Sequence, residues 1–309
     1  MKASRILAAA CLLLAWQAGP AHADSGAVPS PQESAVLGND ISWPQCGGQL
    51  PAPPAFAVVG INGGRPTTAN PCLAEQLAWA DRSSEAAAGV KSAVYVNTAT
   101  TGPVGSLWWP ANNTVMGADI GNPYGMCDGT ASPACAYVHG YAMAYIDAGS
   151  LAGAGVGASG RMWWLDVETG NSWLSDKPAN TAELEGMTAY LQGAGVEVGI
   201  YSTGYQFAEI VGEVGPHSNL YTLKSWLAGA ESTSTAADLC GAAPLTSGGV
   251  VALTQFTAGN LDYNFRCPVA QPAPPPPPAL APPAAPQPPP APAKTRSIRY
   301  AEIPAAQIA

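Results

Sequence analysis

Basic side chains are scarce in this chain: 12 Lys plus Arg stand against 21 Asp plus Glu, and charged residues of both signs fill only 11% of the 309 positions. Such an acidic balance leaves no electrostatic footprint for nucleic acid or an anionic membrane surface. Histidine is rarer still, with three copies. His139 and His217 lack ligand spacing and no Cys-x-x-Cys pair occurs, which argues against a metal centre; no cofactor is expected. The apolar run from Ile6 to Trp16 is too short to span a bilayer, so no transmembrane segment is expected in the mature chain.

That run instead follows Lys2 and Arg5 and precedes the small-x-small triplet Ala21-His22-Ala23, the layout of a secretory signal over residues 1–23. Ala8-Ala9-Ala10-Cys11 is only a faint acylation site, because the run continues through Leu12, Leu13 and Leu14 where acylation needs it to end. Losing Lys2 and Arg5 with the leader takes the formal net charge from −9 to −11, and losing Cys11 leaves six of the seven cysteines. An even number in an oxidising, extracellular compartment predicts disulfides. Residues 24–37 read as a flexible linker. Gln271 to Ala293 is almost entirely Pro and Ala, with Pro274 to Pro278 unbroken. Residues 269–309 are therefore expected to form a disordered, polyproline-like tail with no apolar side chains for a core. Its basic patch, Lys294 to Tyr300, reads as a solvated terminus, with a tether to anionic wall polymers as the functional alternative.

The remaining segment, 38–268, has the length of one α/β barrel domain. Short apolar or alternating runs recur along it: 39–42, 55–61, 92–97, 162–167, 196–201, 224–228, 250–256 and 261–264. Between them, 72–88 places Leu73, Leu77 and Ala80 on one helical face. The 136–148 stretch carries Tyr137, Tyr141 and Tyr145 at i, i+4, i+8, a stripe read as packing. In 181–193, Glu183 and Glu185 are expected in the first turn, where carboxylates suit the helix dipole. His139 is expected as a packed or exposed histidine of the tyrosine helix. Strand then helix, about eight times, predicts a parallel sheet closed as a (β/α)8 TIM-type barrel with disulfide-clipped loops. Trp108 to Cys135 has no clear period and is expected as a long loop, with Cys127 and Cys135 close enough to staple it.

Four acids fall at predicted C-terminal strand ends, where a barrel gathers its functional loops: Asp40, Asp166, Glu168 and Asp262. Asp166 and Glu168 are two apart on one strand and so share a face, directed into the barrel mouth. Two carboxyls so placed cannot both ionise freely; one holds its proton, as a general acid must. A pair of this spacing can instead bind backbone amides or a cation. Buried acids need partners, however, and the core offers only Arg65, Arg82, Lys91, Arg161, Lys177, Lys224 and Arg266. Acids in excess of bases point to a ligand.

The ordered strings Asp40-Ile-Ser42 with Gln45, Trp164-Leu-Asp-Val-Glu168, Gly199-Ile-Tyr201-Ser202, Ser225-Trp226-Leu-Ala228, Gln255-Phe-Thr257 and Asp262-Tyr-Asn264 resemble the strand signatures of family 25 glycoside hydrolases, the lysozyme-type muramidases. They cover nearly all of 38–268, which is also similar to the secreted glycoside-hydrolase-like proteins of actinobacteria. The resemblance implies Glu168 as general acid and Asp166 as the group that orients a substrate acetamido group or stabilises charge at the anomeric carbon. It further implies Asp40, Asp262, Tyr201, Trp226 and Gln255 as substrate-binding residues. For Tyr201 and Trp226, barrel packing is the alternative. Gly60-Ile-Asn62-Gly63-Gly64 and Val94-Tyr95-Val96-Asn97-Thr98 depart from the family pattern, which leaves the glycan open. The barrel arrangement proposes Cys46–Cys72, Cys127–Cys135 and Cys240–Cys267 as disulfides. The expected activity is hydrolysis of a peptidoglycan-type wall glycan by a monomeric, secreted protein. The alternative is a barrel that binds wall glycan without cleaving it.

Overall fold

The computed structural model describes residues 28–30 and 36–268. The expected leader, most of the linker and the Pro-rich tail lie outside the described residues. Among the described residues ten strands occur: β1 Gly38–Ile41, β2 Ala57–Gly60, β3 Ala93–Asn97, β4 Thr114–Val115, β5 Ala118–Asp119, β6 Met162–Asp166, β7 Glu197–Ser202, β8 Lys224–Ala230, β9 Val251–Ala258 and β10 Leu261–Arg266. Eight close a barrel in the order β1-β2-β3-β6-β7-β8-β9-β10, and β4 with β5 forms a separate hairpin in the 106–135 loop.

The barrel is not the all-parallel one expected. β10 runs antiparallel to both β9 and β1, while the other neighbours are parallel. A parallel connection needs a crossover of a dozen or more residues, whereas only Gly259 and Asn260 separate β9 from β10. Gly259 has φ 61°, the left-handed conformation that such a two-residue turn requires.

Period-two alternation divides each strand between two cores. In β6, Trp163 and Leu165 face outward onto the helices, whereas Trp164 joins Phe56, Val58, Trp226 and Leu253 inside the barrel. Trp226 lies edge-on to Trp164 at 5.7 Å between ring centroids and 4.5 Å from Tyr201. The barrel is thus filled by rings, and side chains at the next inward level, including Asp166, rise above them. Gly199 makes room: a Cβ there would lie 2.4 Å from the Trp164 ring.

Three helical expectations change. The 72–88 segment breaks into Leu73–Ala80 and Ser84–Ala87, because Ser83 adopts an extended backbone and its side chain caps the second piece at Ala86 N. Its apolar face is buried, with Leu73, Leu77 and Ala80 all at most 5% exposed. The tyrosine helix runs over Pro133–Gly153, with Tyr141 and Tyr145 edge-on to Tyr190. The third helix, Lys177–Gly193, starts a turn early, with Pro178 in its first turn. Glu183 and Glu185 therefore sit in its interior rather than at its N-terminus. Glu183 is fully buried against His139 Nδ1 at 2.8 Å, so the histidine is packed. Glu185 accepts from Tyr124 Oη at 2.6 Å and from Ser218 Oγ at 2.5 Å. Trp108 and Trp109 stack on His139, which ties the 106–135 loop to this helix pair. Disulfides join Cys46 to Cys72, Cys127 to Cys135 and Cys240 to Cys267. Among the described residues no helix is long and apolar enough to cross a membrane.

Candidate active site

The C-terminal ends of the parallel strands surround a cleft of about 320 Å³. Asp40 reaches it from β1 and Asp166 from the end of β6, with Glu168 two residues further on. Tyr201, Trp226 and Gln255 enter from β7, β8 and β9. Asp262 comes from the start of β10, which the reversed strand direction brings to the same end, in register opposite Asp40. All seven catalytic or substrate-binding residues named from the sequence line this cleft. Trp226 is 2% exposed and also serves the barrel core, so for it the packing reading holds alongside its place in the cleft.

Each carboxyl sits above its ordinary proton affinity, and burial is the leading cause for all four. Asp40 is pushed up to about 7, first by burial and then by the charge of Asp262. Two donors oppose this at Asp40 Oδ2, Asn264 Nδ2 at 2.7 Å and Gln255 Nε2 at 3.0 Å. Asp262 is raised by burial and steadied by the Thr257 hydroxyl, 2.7 Å from its Oδ1. Asp166 is raised well above the carboxylate range by burial, then by the nearby charges of Glu168 and Asp40. Glu168 is raised less, because it accepts hydrogen bonds from Asp166 and Gln206. Of the two, Asp166 is therefore the one whose surroundings more strongly favour the protonated form. None of the three ion pairs among the described residues, His139–Glu183, Lys224–Glu197 and Arg266–Glu85, involves these four acids.

Two supporting residues, Asn97 and Gln206, were not among the site residues named from the sequence. Asn97, at the end of β3, donates its side-chain N–H to Asp166 Oδ2. Gln206, on the short helix Gly204–Ile210, bonds Glu168 while its Oε1 accepts from Thr169 N at 2.6 Å. Tyr201 Oη donates to Gln255 Oε1 at 2.6 Å, fixing the amide so that its N–H faces Asp40. For Asn97 a signal existed, since it ends a strand like the acids; for Gln206 none did. Among the described residues no three His, Cys, Asp or Glu side chains are grouped to hold a metal ion.

Residues 152–238 match the family described as Lysozyme-like protein 1. A 58-residue stretch is 38% identical to a Probable GH family 25 lysozyme 4 of Dictyostelium discoideum; the match takes in 19% of this chain and only 27% of that protein. Among solved structures, the bacterial lysozyme from Streptomyces coelicolor aligns with a TM-score of 0.44 at 15% identity, over 77% of this chain and 94% of that one. The modular Cpl-1 endolysin complexed with a peptidoglycan analogue aligns with a TM-score of 0.43 at 16% identity, over 75% of this chain and 54% of the other. The family match, 152–238, contains Asp166, Glu168, Tyr201 and Trp226.

Proposed function

We propose that this protein is a secreted glycoside hydrolase acting on a peptidoglycan-type cell-wall glycan, with Glu168 as general acid and Asp166 as its partner. The observation that supports this most is the convergence of Asp166 and Glu168 with Asp40 and Asp262 on one cleft, none of the four in an ion pair among the described residues. Asp166 and Glu168 lie two residues apart, and each acts on the other's proton affinity. Such a pair suits substrate-assisted hydrolysis. On binding, Glu168 carries the proton, and the Asp166 carboxylate accepts the N–H of a substrate acetamido group. Glu168 then protonates the glycosidic oxygen as the bond from the anomeric carbon breaks and the acetamido oxygen takes its place. Water opens the resulting ring and returns its proton to Glu168.

One further observation favours cleavage over mere binding. No residue of the 106–135 loop lines the cleft, so that loop does not plug the space above the pair. Asp40, Asp262, Gln255 and Tyr201 would hold sugar hydroxyls, and the Tyr201 ring would supply an apolar face. The test is release of reducing sugar from isolated peptidoglycan, with products identified by mass spectrometry. Glu168→Gln is expected to lower turnover at least ~100-fold, the scale of a lost general acid, with an unchanged circular dichroism spectrum. A wild-type protein that binds wall material but cleaves nothing in a broad glycan panel would overturn the hydrolase reading.

A further inference from the structure

The opposite end of the barrel carries a second cavity, of about 370 Å³, lined by the first residues of β2, β3, β6, β7, β8 and β9 and by the last of β10. Its charge runs against that of the chain. Of the seven basic residues in 38–268, four gather here: Lys91, Arg161, Lys224 and Arg266. Two are partnered, Lys224 with Glu197 at 2.5 Å and Arg266 with Glu85 at 2.7 Å. Lys91 and Arg161 have no carboxylate within ion-pair distance among the described residues, although the charge of Asp81 acts on Arg161 from farther off. Lys91 Nζ meets only the carbonyl of Ser159, at 3.0 Å.

Arg161 is the informative member. It is 7% exposed, and its Nη1 is committed to Ser92, at 2.9 Å to the carbonyl and 2.7 Å to the hydroxyl, while its Nε has no hydrogen-bond partner among the described residues. Trp164, 2% exposed and also lining the cavity, leaves its indole N–H unpartnered too. Buried donors normally find acceptors. The four basic side chains outnumber the two lining carboxylates, Glu85 and Glu197, and the two unpartnered groups are both donors, so the missing element is an acceptor with negative charge.

We infer that this cavity is a binding site for an oxyanion, the phosphate or carboxylate group of a small ligand, held between Arg161 and Lys91. A guanidinium is matched in shape to such groups. Phe56, Met162 and Trp164 on the walls leave apolar surface for the rest of the ligand. The site lies at the far end of the barrel from Glu168 and does not depend on the hydrolase reading.

The experiment is a calorimetric and thermal-shift titration of the full exported chain with inorganic phosphate and, separately, with citrate, each at constant ionic strength against chloride. Saturable binding of either probe, with a rise in melting temperature, is expected; the probe that binds more tightly identifies the oxyanion. Arg161→Gln should weaken binding at least tenfold. Because that buried position can affect folding, Lys91→Gln, at an exposed side chain, provides the second variant with the same expectation. Arg82→Gln, outside the cavity, should bind as the wild type does. A response to both probes indistinguishable from chloride, or equal affinity in the wild type and Lys91→Gln, would overturn the site.

Discussion

Asn97 and Asp166 are register partners on adjacent parallel strands, and the Asn97 side-chain amide donates to Asp166 Oδ2. Asn97 is itself held by Asn62, which is 1% exposed, accepts from Asn97 N at 3.2 Å and donates to Asn97 O at 3.0 Å. A donor of this kind stabilises the ionised form of the acid. In the proposed mechanism Asp166 must be ionised to receive an acetamido N–H, a state that the Asn97 donor is expected to favour.

Asn97→Ala is accordingly expected to lower kcat on peptidoglycan about 10–100-fold, the scale of one hydrogen bond to a charged group. It should also move the acidic limb of the pH–rate profile upward, with little change in KM. A profile that keeps its acidic limb while activity falls would assign Asn97 a merely structural role.

Asp40 makes stability depend on pH in a direction opposite to that of most carboxylates. Its folded value of about 7 stands above the ordinary 3.8, so over that window the folded chain holds a proton that the unfolded chain releases. Its contribution is fully present below about pH 4 and lost as pH rises through 7. Asp40→Asn should leave the melting temperature unchanged at pH 4 and raise it at pH 8. At about 1.4 kcal/mol for each tenfold in proton affinity the ceiling is ~4 kcal/mol, reduced by the share that belongs to Asp262. Thermal unfolding at the two pH values checks this. An equal effect at both would remove Asp40 as the source.

The places where sequence and structure agree share a physical cause. β-branched runs buried on both faces leave a mark in the chain, and Trp164, Asp166 and Glu168, each two apart, keep a parity that directs the acids inward. The reversal of β10 was also written in the chain, as Gly259-Asn260 set between two strands; strand count alone hides it. Glu183 and Glu185 misled because charge near a helix start ordinarily means solvent, and nothing local to them reveals His139 or Tyr124 as buried partners. Gln206 was illegible for a different reason. Its role depends on the packing of a two-turn helix beside β6, a relationship that sequence spacing does not encode.

Tyr201→Phe separates two duties of that ring. Its tilted ring contact with Trp226 survives the change, whereas Gln255 Oε1 loses the hydroxyl donor 2.6 Å away in a site where Gln255 is 9% exposed. A stability loss of about 1–2 kcal/mol is expected from the unpaired acceptor, measured by urea unfolding. Loss of the acceptor's partner should also free the amide to turn away from Asp40. The double variant Tyr201→Phe with Gln255→Leu should therefore cost less than the two single losses added together. Strict additivity would show that the two side chains act independently.

The helices Pro133–Gly153 and Lys177–Gly193 meet through reciprocal glycines. A Cβ on Gly140 would lie 1.9 Å from Glu183 O, and one on Gly186 would lie 2.0 Å from Tyr137 O. In both cases the obstacle is backbone, so no rotamer change relieves it and the helices must separate. That separation would also pull His139 from Glu183, whose only relief from burial is this contact. Gly140→Ala is expected to destabilise the fold by ~3 kcal/mol, the upper range for an overpacked core. Gly149→Ala on the same helix, with nothing within 4 Å, should instead stabilise by up to ~1 kcal/mol, as alanine replaces glycine in an open helical position. Urea midpoints for the two variants should fall on opposite sides of the wild type. A Gly140→Ala midpoint at or above the wild-type value would mean that the helices tolerate separation, and that the buried pair between them is not what fixes their crossing.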